Sequence, residues 1–325
     1  MKIGLAYNLQ IDAADESQAE FDPPRTIEAL EDALGSLGHS VCRLGDAEAL
    51  LRSQAALEAI DVVFNIAEGT SGRCREAWVP MLLERWGVPY VGSGPTAQAL
   101  GLDKVMSKRL AQSSGVRTPH WVCVDDFSKI GLADAFGFPA IVKPRYEGSG
   151  LGIDPCSIVR DEESLRRRAA WCLARFRQPC IVEEFIPFGE LTVFLIGNHP
   201  PVAYPALQRS LDPETRLSCH VSHGSTAQAW LNPVILTPEM DRAAADAARR
   251  VFEAIGCSDM ARVDFRADES GNLYFLEINP LPSFDPEGSV GLLAEYLQVP
   301  YAALIGRILE TAASRIRQQG RYVQP

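Results

Sequence analysis

The sequence has no C-x-x-C pair and no Cys–His grouping at zinc spacing, which excludes a structural zinc finger and a dithiol redox centre. Its eight cysteines (Cys42, Cys74, Cys123, Cys156, Cys172, Cys180, Cys219 and Cys257) are scattered. Several sit in apolar runs, where a reduced thiol behaves as a small hydrophobe. No apolar stretch approaches the roughly 18 residues of a membrane-spanning helix. An excess of positive charge is missing as well: 31 Lys and Arg face 42 Asp and Glu, a net charge of −11. Neither a nucleic acid nor an anionic membrane is therefore the expected partner. The G-x-x-x-x-G-K-[ST] pattern is absent, and the glycines of 148–152 lead towards a strand and not into a helix. That excludes a P-loop and a dinucleotide fingerprint. There are no internal repeats, no low-complexity segment and no secretory-signal pattern, so a cytoplasmic location is expected.

What is present is an ordinary globular composition, 46% hydrophobic and 22% charged over 325 residues. That length suits two or three domains. Strand patterns at 2–7, 41–44, 61–65 and 89–91 alternate with helical patterns at 26–37, 47–58 and 75–85, predicting a parallel sheet covered by helices. A helix over 104–114 follows Asp103, a good N-cap. Strands at 121–124, 140–143, 157–159 and 180–184 make a smaller α+β unit. Its helix, 161–175, carries Arg166, Arg167 and Arg168 on what reads as a solvated side. Strands at 191–196 and 202–206, a helix at 238–255, a hairpin and an amphipathic helix at 301–317 complete the chain. The irregular stretch 209–233 is long enough to read as a functional lid. The expected domains are 1–96, 97–186 and 187–325.

The hairpin is the most informative stretch. Met260-Ala-Arg-Val-Asp-Phe and Leu276-Glu-Ile-Asn-Pro both alternate with period 2 around the turn formers Asp268-Glu-Ser-Gly-Asn. The alternation puts Val263, Phe265, Leu276 and Ile278 on one face and Arg262, Asp264, Glu277 and Asn279 on the other. Two carboxylates side by side repel unless positive charge lies between them. A hard divalent cation such as Mg²⁺ is the natural occupant; a solvated strand face is the plain alternative.

Further candidates lie upstream. In Ala140-Ile-Val-Lys143-Pro-Arg-Tyr-Glu147-Gly148-Ser149-Gly150, a strand ends in Lys and enters a glycine-rich turn. Backbone N–H groups there can approach an anion closely, with Lys143 as a point charge, although many such loops are plain turns. Lys104 can reach a phosphate from another side, or be a surface lysine. Glu183 and Glu184 end an apolar strand, where carboxylate and backbone groups near Ile186 suit an adenine edge and Glu190 suits ribose hydroxyls. Solvated acids at a strand end are the alternative.

In order, Asp103-Lys104, Val142-Lys143-Pro, Glu147-Gly-Ser-Gly, Glu183-Glu-Phe-Ile, Gly189-Glu190, Arg262-Val-Asp264 and Glu277-Ile-Asn279 resemble the ATP-grasp superfamily. Val63-Phe-Asn-Ile, Gly87-Val-Pro-Tyr-Val-Gly-Ser-Gly94 and Gly115-Val-Arg-Thr-Pro119 narrow the likeness to the D-alanine–D-alanine ligases and their paralogues. The resemblance implies a three-domain α/β and α+β ATP-grasp fold that clasps ATP between its central and carboxyl-terminal domains. It implies that Lys104 and Lys143 bind phosphates, covered by Ser149 from the Glu147–Gly150 loop. Glu183, Glu184 and Ile186 would meet adenine, and Glu190 the ribose. Asp264, Glu277 and Asn279 would hold two Mg²⁺ ions, or Mn²⁺. Arg262 would face the reacting carbonyl as the oxyanion donor. Small amino acids or peptides are the implied substrates, and a homodimer is compatible with the family.

The amino-acid subsites depart from that pattern. The usual Gly-Gly-x-Ser-x-Glu-Arg-like segment is replaced by an acidic insert and Phe21-Asp-Pro-Pro-Arg25. Leu-His-Gly becomes Ala67-Glu68-Gly69, followed by Arg73-Cys-Arg75-Glu76. The lid Lys and Tyr are absent from Ser218-Cys-His220-Val-Ser-His223, and Pro280-Leu-Pro-Ser283 to Ser289 stands where Thr-x-Pro-Gly is usual. Glu68, Arg75, Glu76, His220, His223, Ser283 and Ser289 are the candidate substrate contacts. A buried ion pair for the first group and plain loop histidines for the lid are the competing readings. The expected activity is an ATP-dependent carboxylate–amine ligase working through an acyl phosphate. A D-alanine–D-alanine ligase in the strict sense, or a non-catalytic nucleotide-binding regulator, would share most of these motifs.

Overall fold

A computed structural model describes residues 1–126, 137–218 and 235–320. β1 (Lys2–Ala6), β2 (Ser40–Gly45), β3 (Val62–Asn65) and β4 (Tyr90–Val91) form a parallel sheet in the order β2-β1-β3-β4. Every residue of β3 is buried, as a parallel strand covered on both faces requires. One face packs on α1 (Pro24–Ser36) through Ile27, Leu30 and Leu34. The other packs on α2 (Ala47–Arg52) and α3 (Trp78–Trp86) through Leu50, Val79 and Leu83. The helix expected over 47–58 breaks at Ser53 into α2 and a 3₁₀ turn, Gln54–Leu57. The one expected from Arg75 likewise opens with a 3₁₀ turn, Arg75–Ala77.

Two helices were not legible. α4 (Pro95–Leu102) buries Ala97, Gln98, Gly101 and Leu102, so it shows no clear polar stripe. A second, eight-residue helix, Ser289–Tyr296, is equally apolar and short. α5 (Lys104–Ser113) begins as expected: Asp103 accepts from the backbone N–H groups of Val105 and Met106. The same carboxylate grips Arg145 at 2.6 Å, tying the helix start to the glycine-rich loop.

The second sheet is antiparallel in the order β5-β8-β6-β7, from β5 (Trp121–Val124), β6 (Ala140–Pro144), β7 (Ile158–Val159) and β8 (Cys180–Glu184). α6 (Glu162–Phe176) covers it through Leu165, Ala169 and Cys172. Its three arginines do not share one fate. Arg166 and Arg167 pair with Glu162 and Glu163 on the surface, whereas Arg168 is buried. Arg168 donates to the carbonyl of Gly152 and to Ser157 Oγ, both at 2.7 Å, and so clamps the far end of the glycine loop.

The third sheet holds β9 (Gly189–Ile196), β10 (Val202–Ala203), β11 (Leu207–Gln208), β12 (Met260–Ala267) and β13 (Leu273–Asn279), all antiparallel. The strand expected over 202–206 is thus two short pieces, β10 and β11, separated by Pro205. α7 (Pro238–Ile255) packs Ala244, Ala248, Val251 and Phe252 on one face of this sheet. α8 (Ser289–Tyr296) and α9 (Tyr301–Gln318) return to the first sheet, with Leu304, Ile305 and Ile308 in the same core as Ile3, Leu5 and Leu30. Arg315 of α9 holds buried Asp259 at 2.7 Å, and Asp259 accepts from the N–H of Gly92. The first and third sheets are joined there.

One correction concerns the hairpin. Register runs Arg262↔Asn279, Val263↔Ile278, Asp264↔Glu277, then shifts so that Phe265 faces Phe275. The extra residue is Leu276, a β-bulge. Phe275 takes the core place expected of Leu276, in edge contact with Phe265 at 6.3 Å, and Leu276 turns to the cavity described next.

Candidate functional site

A cavity of about 600 Å³ lies where the three sheets meet. Glu147, Gly148, Ser149 and Gly150 line it, as do Lys104, Lys143, Glu183, Glu184, Ile186 and Glu190. So do Arg262, Asp264, Glu277, Asn279, Glu68, Glu76, Ser283 and Ser289. These candidates thus line one cavity. Arg75 stands behind its wall, and His220 and His223, with the lid core 219–234, lie outside the described residues.

Strand chemistry explains the convergence. Lys143 ends β6, Glu183 lies on neighbouring β8, and Asp264 and Glu277 are cross-strand partners on β12 and β13. Lys104 reaches over from the start of α5, 3.2 Å from Glu277 Oε2, and donates to the carbonyl of Glu147 at 2.5 Å. It links the metal-type carboxylate to the glycine loop. In the loop, Ser149 has φ 47° and Gly150 φ 74°, consecutive left-handed residues of the kind that turn N–H groups to one side.

Positive charge between the hairpin carboxylates is present as side chains. Arg262 donates Nε and Nη2 to Asp264, the latter at 2.8 Å, and Nη1 to Ser289 Oγ at 2.8 Å. Thr192 Oγ1 donates to Asp264 at 2.7 Å. Burial alone would push Glu277 up, but Lys104, Lys143 and Arg262 outweigh it and hold the carboxyl at about 2. Arg262 was expected to face a reacting carbonyl; here its guanidinium is committed to Asp264 and Ser289.

Two further candidates carry buried counter-ions. Glu183, assigned to adenine, is 1% exposed and pairs with Lys143 at 2.6 Å and Lys108 at 2.9 Å. Burial raises its carboxyl, yet the two lysines outweigh this and hold it below its ordinary value. Lys108, fully buried, is pushed down to about 8 by burial against the pull of Glu183. Glu183 therefore positions Lys143. Glu190, assigned to ribose, is held by Arg266 at 3.2 Å and Arg209 at 3.5 Å.

Lys108, Arg266, Arg209 and Thr192 were not singled out from the sequence. Lys108 lies one helical turn beyond Lys104, a spacing that places both on one face of α5 and could have flagged it. The acidic insert also enters the site. Glu20 accepts from the N–H of Gly148 at 2.8 Å and pairs with Arg75 at 2.5 Å. Arg75 also donates to the carbonyl of Tyr146 and lies 3.3 Å from Glu147. Arg75 is thus the buried structural ion pair that was the competing reading.

Glu76 and Asp22 are each pushed up to about 8, mainly by burial, with Glu20 and Asp285 respectively adding to it. An acid whose folded value is raised keeps its full contribution below the unfolded value, 4.5 for Glu, and loses stability as pH climbs towards 8. Glu76→Gln keeps the neutral form throughout. Its Tm gain over the parent chain is therefore expected to be small at pH 4.5 and largest at pH 8, checked by calorimetry. A gain that shrinks with rising pH contradicts this.

Residues 110–310 match the family described as D-ala D-ala ligase C-terminus. The D-alanine–D-alanine ligase of Syntrophotalea carbinolica is 34% identical over 296 residues, covering 90% of this chain and 91% of that protein. The enzyme of the same name from Geobacillus thermodenitrificans is 31% identical over 271 residues, covering 81% and 72%. The crystal structure of D-alanine–D-alanine ligase from Bacillus anthracis complexed with ATP superposes with a TM-score of 0.75 at 22% identity, over 99% of this chain and 100% of that one.

Proposed function

We propose that this chain, which belongs to the D-alanine–D-alanine ligase family, joins an amino-acid carboxylate to an amine in this cavity through an acyl phosphate. It is an ATP-dependent ligase that forms carbon–nitrogen bonds. The observation that carries the residue assignment is the convergence of Lys104, Lys143, the 148–150 loop and the Asp264–Glu277 pair on one cavity.

The donor carboxylate oxygen attacks the γ-phosphorus of ATP, the bond to the β,γ-bridging oxygen breaks, and ADP leaves. The amine then attacks the acyl carbon, phosphate departs with the C–O bonding pair, and the amine loses a proton. Lys143, held in place by Glu183, and Lys104 offset negative charge on the phosphates. The N–H groups of Ser149 and Gly150 and the Ser149 hydroxyl close over them. Asp264, Glu277 and Asn279 provide two carboxylates and an amide oxygen, a hard donor set that suits one or two Mg²⁺ ions. Bound there, Mg²⁺ would neutralise phosphoryl oxygens. Glu184, Phe185 and Ile186 form the adenine wall, and Glu190 with its two arginines adjoins the ribose. Arg262, which lies on Asp264 and Ser289, would be the oxyanion donor. Losing such a donor costs about 3 kcal/mol.

Purified chain with Mg²⁺, ATP and a panel of amino acids, D-alanine included, is expected to release ADP and phosphate only with an accepted donor–acceptor pair. Substrate-independent ATP cleavage, or none with any pair, counts against the reading. Robust dipeptide from D-alanine alone would assign the chain the reaction named for its relatives.

A further inference from the structure

One end of the cavity carries more negative charge than its own side chains answer. Glu20 is paired with Arg75, and Asp285 with Arg25 at 2.8 Å. Asp22, Glu68 and Glu76 line the same end, and none has a hydrogen-bond or ion-pair partner among the described residues. Asp22 is 9% exposed and Glu76 8%, so both carboxylates are withdrawn from solvent while facing the cavity. The three arrive from separate places in the chain: Asp22 from the Phe21–Arg25 segment, Glu68 from the loop after β3, and Glu76 from the 3₁₀ turn before α3. They are close enough that Glu68 feels both Glu76 and Asp22.

A buried carboxylate without a partner is costly, and two of them beside the half-buried Glu68 are answered either by protons or by a cationic ligand. Burial pushes all three carboxyls up, which favours a proton or another cation beside them. A single α-ammonium brings one positive charge and leaves two carboxylates unmatched. Resting on the ligase reading above, we propose that this acidic end selects a substrate with two cationic groups, a diamino acid whose side-chain ammonium joins its α-ammonium among Asp22, Glu68 and Glu76. The place is apt. Glu76 is also felt by Lys104 and Glu277, so an amino acid seated there lies beside the phosphate and metal end of the cavity. Ser283 and Ser289 line the same cavity and can receive the backbone polar atoms of such a ligand.

The test pairs each diamino acid with its neutral counterpart: lysine with norleucine, ornithine with norvaline, 2,4-diaminobutyrate with 2-aminobutyrate, in both enantiomers. Binding is measured by calorimetry with a non-hydrolysable ATP analogue and Mg²⁺, and turnover by ADP release. The diamino acid of at least one pair is expected to bind at least 10-fold tighter and to show the higher kcat/KM. In Glu76→Gln combined with Asp22→Asn, that ratio is expected to fall towards one while affinity for the nucleotide analogue stays. Proton release on binding is a second expected signature, absent from the double variant. Equal or tighter binding of the neutral member in every pair overturns the proposal, as does the absence of binding by every diamino acid. Turnover of neutral pairs alone would overturn it and leave the ligase reading standing. Selective diamino-acid binding without ATP cleavage would support the subsite and count against the ligase reading.

Discussion

Asp264→Asn is expected to lower kcat for ADP release by about 10³-fold, equivalent to about 4 kcal/mol of lost transition-state stabilisation. The substitution keeps the shape of the side chain and removes its charge. Two consequences follow from the contacts of Asp264. A metal-type ligand is lost opposite Glu277, and the buried guanidinium of Arg262 loses its partner at 2.8 Å. The Mg²⁺ concentration for half-maximal activity should therefore rise together with the fall in kcat. Arg262, then held by Ser289 alone, becomes free to turn towards Glu277. Steady-state kinetics across a Mg²⁺ titration decides the matter. An unchanged kcat with an unchanged Mg²⁺ requirement would remove Asp264 from the metal site.

Glu183→Ala carries the largest expected effect on stability, about 3–5 kcal/mol, because it removes the carboxylate that pairs directly with both buried Lys108 and Lys143. Lys108 is fully buried and Lys143 is 6% exposed, so water cannot take over the lost role. The pH dependence identifies the cause. Glu183 is held below its ordinary value of 4.5 in the folded chain. Its contribution is thus present above pH 4.5 and lost as pH falls through the lower, folded value. Urea unfolding should show a deficit for Glu183→Ala that is full at pH 7 and narrows below pH 4.5. A deficit independent of pH would point to lost packing. Weaker nucleotide binding should accompany it, since Lys143 would no longer be held at the end of β6.

The parts of the site that were legible share one property: each is written in a short run whose spacing has a single structural meaning. Period-2 alternation put Arg262, Asp264, Glu277 and Asn279 on one face, and the register pairs Asp264 with Glu277. Even there the bulge at Leu276 was hidden, because Phe275 and Leu276 are both apolar and neighbour-level pattern cannot rank them for the core. Helix Pro95–Leu102 was hidden for a related reason, burial on more than one side, which erases the polar stripe. Arg168 reads as one of three surface arginines until the glycine loop folds against it.

Roles of charged residues were less legible than their presence. Glu183 could be assigned to a nucleotide or to solvent from its place at a strand end, and only the fold brings Lys143 to it from the paired strand β6 and Lys108 from α5. The acidic insert carried no assignment at all. Its Glu20, and Asp22 just after it, acquire meaning from Gly148, Arg75, Glu68 and Glu76, which lie roughly 45 or more residues further along the chain.

Local sequence by itself determined the parallel first sheet, the metal-type hairpin, the phosphate-type lysines and the glycine loop, because backbone periodicity and turn chemistry act over a few residues. The tertiary structure alone decided which carboxylates have counter-ions and which face the cavity without one. Pairing of buried charges depends on elements distant in the chain, and burial gives that pairing its energetic weight.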